Sequence, residues 1–328
     1  MSSNIPVFTL NDGTKMPAVG AGWGGVGGGQ RVNDMCEKAL RAGYTHFDTA
    51  AGYGNEKQVG EAIRASGIPR KDLYITTKLA NSDHHRVREA FDKSLKELGC
   101  EYIDLYLLHW PQGSVSVSSI DESKEAVGNA SFARVLKPTE SPTFVETYKE
   151  MEKLLETGKL RSIGVSNFSI KTLEELLPHV KVVPAANQVE MHPCLPQEDL
   201  LKYCEEKGIL VVAYSPLGRS STFFEHEGIK KIATKYNTTP AQVVLSWGVQ
   251  RKTVVIPKSE NEQRLKDNIT LVTLAQEDLK TIDKLHKEPG MHKSLLLYHS
   301  PEGSVFGWNY EELGWNMTRG GVVPPSIA

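Results

Sequence analysis

Several things are scarce in this chain of 328 residues, and each scarcity excludes a class. There are only four cysteines, Cys36, Cys100, Cys194 and Cys204, and none forms a CxxC pair. That argues against a disulfide scaffold or a zinc site and for a reducing compartment, so no metal is expected. No apolar run approaches the roughly 20 residues a bilayer span needs. The net charge is only -2, which implies no broad field for nucleic acid or an acidic membrane. The opening MSSNIPVFTLNDG has no charged start followed by an apolar core, so a cytoplasmic protein is expected and not a secreted one. On that expectation the five Asn-x-Ser/Thr triplets, at Asn129, Asn167, Asn237, Asn268 and Asn316, read as chance. What is present is an ordinary globular mixture, 39% hydrophobic and 24% charged, able to bury a full core.

Organisation follows from punctuation and period. Asn11-Asp12-Gly13 supplies a turn between two short strand-like runs, which predicts an N-terminal hairpin over 6–15. Beyond it, strand-like runs near 16–20, 45–49, 73–79, 103–109, 161–165, 185–190, 209–214 and 253–257 alternate with helical stretches. Val87, Phe91, Leu95 and Leu98 fall at helical spacing, as do Phe144, Tyr148, Met151 and Leu155. Gly43, Gly99, Gly158 and Gly208 stand where helices should end. Eight strand–helix units predict an α/β fold, a single (β/α)8 (TIM) barrel over 16–287 in one domain spanning 1–328. Residues 112–142, after the fourth strand, make a loop of about 30 residues, a length usually tied to function or mobility. The irregular C-terminal tail, 288–328, carries Tyr298, Phe306, Trp308, Tyr310 and Trp315. It would either cover a barrel edge or lid a pocket.

Two motifs carry rival readings. Gly20-Ala21-Gly22-Trp23-Gly24-Gly25 matches the G-x-G-x-x-G dinucleotide fingerprint, with Asp48 downstream. Its preceding strand is short and holds a proline, and glycines continue to Gly29, so a flexible first loop is the preferred reading. Tyr-x-x-x-Lys, the pair used by short-chain dehydrogenases, occurs at Tyr53–Lys57 and Tyr203–Lys207. Eight units argue against that family.

The chemistry concentrates at strand ends. Asp48 closes THFD, Tyr53 follows in the next loop, Lys78 closes LYITTK and His109 closes YIDLYLLH. In a parallel barrel these ends meet at one face. A phenol, an ammonium, a carboxylate and an imidazole suit proton transfer to a carbonyl. Tyrosine is a poor acid at neutral pH, with an ordinary pKa near about 10, and a nearby lysine is expected to favour the phenolate. Taken alone, Tyr53 would be a surface tyrosine, Asp48 a helix cap and His109 a core histidine. Lys78 is harder to dismiss, because an apolar strand rarely ends in an unpaired lysine. Ser166, Asn167 and Gln188 at later strand ends suit a carboxamide, and Tyr214 suits a flat ring. Lys258, Ser259 and Arg264, at the end of the last strand and the start of the next helix, suit a phosphomonoester such as the 2′-phosphate of NADP.

GYTHFDTAAGYGNE (43–56), MEKLLETGKLRSIGVSNF (151–168) and VVIPKS (254–259) resemble, in order, three signature stretches of the aldo-keto reductases. The resemblance covers at least residues 5 to 290. It implies a (β/α)8 barrel that binds NADPH (NADP+) without a Rossmann domain and reduces an aldehyde or ketone. It implies Tyr53 as general acid beside Asp48, Lys78 and His109, and Ser166, Asn167 and Gln188 on the nicotinamide carboxamide under Tyr214. It places Ser215 and Leu217 along the pyrophosphate, Lys258, Ser259 and Arg264 on the 2′-phosphate and Asn268 on the adenine. Substrate contacts would come from Trp23, Tyr53, His109 and Trp110, and the substrate expected is a small polar or sugar-like carbonyl such as an aldose, glyceraldehyde or a uronic acid. His109, where some relatives carry glutamate, resembles carbonyl reductases and not steroid double-bond reductases. Ala80 stands where many relatives have tryptophan, Trp23 comes one residue early, and Asp267 replaces a common glutamate. The alternatives left open are an NADPH-binding accessory subunit on the same fold and a short-chain dehydrogenase. No nucleic-acid or membrane partner is expected, and either a monomer or a homodimer fits.

Overall fold

The computed structural model of the chain describes residues 5–116, 133–218 and 222–324. The chain opens on a hairpin, β1 (Val7–Thr9) paired antiparallel with β2 (Lys15–Pro17). Its turn needs the left-handed conformation at Gly13, φ 86°. Asp12 ties the turn, accepting from the Thr14 N–H at 2.9 Å, and its other oxygen accepts from Ser162 Oγ at 2.5 Å. That second bond pins the hairpin across the N-terminal mouth of the barrel. Met16 is driven inward there, against Leu105, Leu107, Val212 and Val254 of the interior.

The strands that follow are β3 (Ala21–Gly22), β4 (His46–Asp48), β5 (Tyr74–Leu79) and β6 (Ile103–Leu108). An antiparallel pair, β7 (Ser114–Ser116) and β8 (Ala133–Val135), interrupts the series, and residues 117–132 between them lie outside the described residues. The parallel series resumes with β9 (Leu160–Ser166), β10 (Ala186–Glu190), β11 (Leu210–Tyr214) and β12 (Val254–Ile256). The sheet order is β12-β11-β10-β9-β6-β5-β4-β3. Its two edges also meet. Val255 N–H donates to Ala18 O, and Gly20 N–H donates to Val255 O, both at 2.9 Å, with Val19 bridging Val255 in parallel. The sheet is therefore a closed eight-stranded barrel, its two edge strands paired with each other.

The first ladder strand begins later than the expected run 16–20, because Lys15–Pro17 is drawn into the hairpin. The glycines beside it answer the fingerprint reading. A Cβ on Gly22 would lie 2.9 Å from Ile256 O, and one on Gly20 would lie 2.7 Å from His46 Nδ1. These two positions are glycine because strands close tightly there, and the closed barrel removes both the Rossmann and the short-chain dehydrogenase alternatives.

Helices α1 (Gln30–Ala42), α2 (Glu56–Ala65), α3 (Val87–Leu98), α4 (Phe144–Glu152), α5 (Ile170–Leu176), α6 (Glu198–Glu206), α7 (Glu227–Lys235), α8 (Pro240–Gln250), α9 (Glu262–Asn268) and α10 (Gln276–Asp283) fill the intervals. α4 shows why. Phe144, Tyr148 and Met151 form one buried stripe, worth about 1.5–3 kcal/mol per large apolar side chain. Thr143 and Glu146 close a reciprocal cap at its start. The tail is short pieces: β13 (Ser304–Val305), β14 (Trp308–Asn309) and α11 (Tyr310–Leu313). It is fastened over the C-terminal mouth by Gln112 Nε2 to Val305 O (2.9 Å) and Trp308 Nε1 to Leu136 O (2.7 Å). Among the described residues no helix is long and apolar enough to cross a membrane, and no three His, Cys, Asp or Glu side chains gather as a metal centre.

Candidate active site

A cavity of about 530 Å³ opens at the C-terminal mouth of the barrel. Strand geometry delivers its polar floor. Asp48 ends β4, and Lys78 stands one residue from the end of β5, fully buried. Lys78 Nζ donates to Asp48 Oδ1 at 2.5 Å and to Thr49 O at 2.8 Å. Gln188, from β10, donates its amide N–H to Asp48 Oδ2 at 2.7 Å. Both carboxylate oxygens are thus held, and a buried lysine is matched by a buried anion, the condition under which such a pair persists. Tyr53 sits in a short 3-10 turn (Ala51–Tyr53) after β4, its ring centroid 5.1 Å from Lys78 Nζ. His109, just past β6, meets the Tyr53 ring edge-on at 5.5 Å. The structure brings all four residues together, with Tyr53 and His109 facing the cavity and Lys78 behind it.

The electrostatics refine the expectation for Tyr53. Burial raises its pKa above the ordinary tyrosine value, and the Lys78 charge offsets that only in part. Burial of the ring was not visible in the sequence, where lysine alone argued for a lower value. Lys78 moves up despite the burial that opposes its charge, because Asp48 and Tyr53 favour the ammonium. His109 is pushed well below the usual histidine value, first by burial and then by Lys78. At neutral pH the site therefore holds a neutral phenol, an ammonium and a neutral imidazole.

The facing wall is built from strand ends and the residues after them. Ser166 ends β9 and donates to Gln188 O at 2.8 Å. Asn167 follows at φ 65°, a left-handed conformation that asparagine tolerates. Its Nδ2 donates to His109 O (2.9 Å) and Ser166 Oγ (3.1 Å), and its Oδ1 accepts from Tyr214 Oη at 2.7 Å. Ser215, Leu217 and Lys258 also line the cavity. Lys258 Nζ reaches Gly24 O at 3.0 Å, joining the last-strand rim to the first loop. Nearby, Arg31 at the start of α1 clasps Glu260, with Nε to Oε2 at 3.1 Å.

Some expected residues lie elsewhere. Trp23 is fully buried and does not line the cavity; its ring stacks on Phe47 at 6.3 Å. Its position one residue early turns the indole into the core and leaves the backbone of Gly22, Gly24 and Gly25 as the wall. Ala80 is likewise absent from the wall. Ser259, Arg264 and Asn268 follow Lys258 outward along the turn and α9, with Arg264 exposed and Asn268 buried, and none lines the cavity. Trp110 does line it, and its ring meets Tyr298 (5.5 Å) and Phe306 (4.9 Å) edge-on. Of the two uses open to the tail, covering an edge or lidding a pocket, it thus serves the second: Leu296, Leu297, Tyr298 and Phe306 complete the wall. Glu190 had not been singled out. It closes β10 as a buried charge, and a charged residue ending a strand-like run is the same signal that marked Lys78.

Comparison with known proteins gives one family. Residues 18–287 match the family model described as Aldo/keto reductase family. The chain is 42% identical to a Saccharomyces cerevisiae protein named glycerol 2-dehydrogenase (NADP(+)), over 88% of this chain and 94% of that one. A second S. cerevisiae protein, named an aldehyde reductase, is also 42% identical with the same coverage of both chains. A solved aldo/keto reductase structure from Brucella melitensis superposes with TM-score 0.73 at 38% identity, covering 86% of this chain and 99% of the other. The chain belongs to the aldo/keto reductase family.

Proposed function

We propose that this protein is an NADPH-dependent reductase that turns an aldehyde, or a ketone, into the alcohol. The observation that carries the reading is that Tyr53, His109 and Asp48 line one cavity while the buried Lys78, paired with Asp48, stands behind it. The cofactor site is read from donor chemistry. Ser166, Asn167 and Gln188 offer amide and hydroxyl groups, and Tyr214 offers an aromatic face. Ser215 and Leu217 continue the line to Lys258 at the rim. Ser259, Arg264 and Asn268 lie beyond it, suited to the phosphate and base of a ligand that runs out of the cavity. A bound NADPH supplies the hydride.

The chain's own residues manage the proton. Tyr53 stays a phenol at neutral pH, so its Oη proton is available to the carbonyl oxygen as that oxygen gains charge. The phenolate left behind faces the Lys78 ammonium, whose own charge Asp48 balances. His109, neutral, orients the carbonyl oxygen by a hydrogen bond and does not compete as the acid. The substrate end of the wall is Trp110, Leu296, Leu297, Tyr298 and Phe306. Among the described lining residues Lys258 is the cation outside the tetrad, and it stands at the first-loop rim. This favours an uncharged aldehyde with an apolar body over a uronic acid, and narrows the sugar-like expectation.

The test is NADPH oxidation across glyceraldehyde, an aromatic aldehyde and a uronate, beside fluorescence titration of both cofactors. Arg264→Ala should weaken NADPH on the order of tenfold, the scale of one lost charge-assisted hydrogen bond, and leave NADH nearly unchanged. Equal losses for both cofactors would remove Arg264 from phosphate reading. NADPH binding with no turnover of any aldehyde would favour the accessory-subunit alternative.

A further inference from the structure

A second, larger cavity of about 940 Å³ contains none of the four catalytic candidates. Asn167, Tyr214 and Tyr298 line both cavities, so they form the partition between them. A chain of oxygens runs through that partition. Asn167 Oδ1 is 2.7 Å from Tyr214 Oη, Tyr214 Oη is 2.7 Å from Tyr298 Oη, and Tyr298 Oη is 3.3 Å from Glu190 Oε2. Glu190 is buried and also fastens the tail, accepting from Ser294 Oγ (2.6 Å) and the Leu295 N–H (2.8 Å), with His192 Nε2 at 2.9 Å on the other side.

The protons in this chain can be counted. Asn167 Nδ2 already serves His109 O and Ser166 Oγ, so Asn167 presents its acceptor, Oδ1, to Tyr214. Tyr214 must donate there, which leaves the single Tyr298 proton for two contacts, with Tyr214 Oη and with Glu190 Oε2. Two protons serve three contacts, so the Tyr298 proton satisfies Tyr214 or Glu190 but not both. A donor arriving at Asn167 Oδ1 from the cavity relieves the shortage. It frees the Tyr214 proton for Tyr298, and the Tyr298 proton for Glu190.

We propose that Tyr298 is a positioning residue that couples occupation of the nicotinamide site to docking of the tail through Glu190. The inference rests on the cofactor reading above, in which an amide N–H of the ligand meets Asn167. Coupling of this kind is reciprocal: a ligand that tightens the tail is held more tightly by a docked tail. The partition also borders the substrate wall, so the same proton shift would firm Leu296 and Tyr298 beside Trp110 when cofactor is present.

The test uses the full chain and two readouts, NADPH affinity by fluorescence titration and amide hydrogen exchange over residues 294–298. In the wild-type protein NADPH should slow exchange at Leu295 and Leu296. Tyr298→Phe leaves one proton for one contact and nothing to relieve. NADPH should then bind more weakly, on the order of fivefold or more, and the ligand-dependent slowing should vanish. Glu190→Gln, checked by a thermal melt, keeps both tyrosines but adds an N–H donor to the chain, and should abolish the slowing in the same way. If the wild-type protein does not bind NADPH, the cofactor reading falls and takes this inference with it. If wild type binds and both variants show wild-type affinity and wild-type slowing, the coupling alone is overturned.

Discussion

In the proposed function the chemistry rests on one proton, that of Tyr53. Its pKa is raised by burial, and that direction fixes the pH behaviour. The acid form is present below the folded pKa and lost as pH rises through it, so the loss should begin only above the ordinary tyrosine value of about 10. His109 is displaced downward, so it stays neutral through its ordinary range near about 6.5 and adds no limb there. The expected outcome is a kcat/KM for reduction that is flat across neutral pH. Tyr53→Phe should keep NADPH binding and cut turnover by about 10²–10⁴-fold, the usual worth of general acid catalysis. A Tyr53→Phe protein that reduces aldehydes at the wild-type rate would refute the assignment, and a wild-type inflection near pH 6.5 would point instead to His109 as the acid.

At the level of elements, the tail walls the cavity beside Trp110, where the proposed substrate would meet it. Phe306 holds a left-handed backbone, φ 46°, and its ring meets Trp110 edge-on at 4.9 Å. Phe306→Ala should lower kcat/KM for an aromatic aldehyde relative to glyceraldehyde by on the order of tenfold, since one apolar wall is worth about 1–3 kcal/mol. An unchanged ratio would mean that the tail covers the site without shaping it. The barrel elements were legible in the sequence because each has its own signal: helical period in Val87, Phe91, Leu95 and Leu98, and a charged residue closing an apolar strand at Lys78. The tail was not. Its anchors join residues far apart, as in Gln112 to Val305 and Trp308 to Leu136, and no period announces such pairs. Trp23 was misplaced for a related reason: strand β3 is two residues long, too short for alternation to say which way a side chain points.

The whole molecule should carry an acid weakness that has no part in the chemistry. His46 and His84 are both buried, and burial lowers their pKa values to about 4 and about 3. His46 has partners in Pro17 O (3.2 Å) and Thr76 Oγ1 (3.3 Å). His84 has none on either ring nitrogen among the described residues. The sign follows from linkage. Each folded pKa lies below the unfolded value near about 6.5, so the unfolded chain binds protons first as pH falls. Stability is whole above about pH 6.5 and declines towards the folded values, at about 1.4 kcal/mol per pH unit for each histidine. His84→Leu removes one of these groups and an unsatisfied polar ring together. At pH 7 it should be neutral or stabilising, by up to about 1–3 kcal/mol, the cost of a buried group without a partner. At pH 5 its advantage over wild type should grow by about 2 kcal/mol, while His46, common to both proteins, cancels. Urea melts of the two proteins at both pH values measure the difference directly. Parallel losses between pH 7 and pH 5 would show that His84 is not buried as a neutral ring in the folded protein.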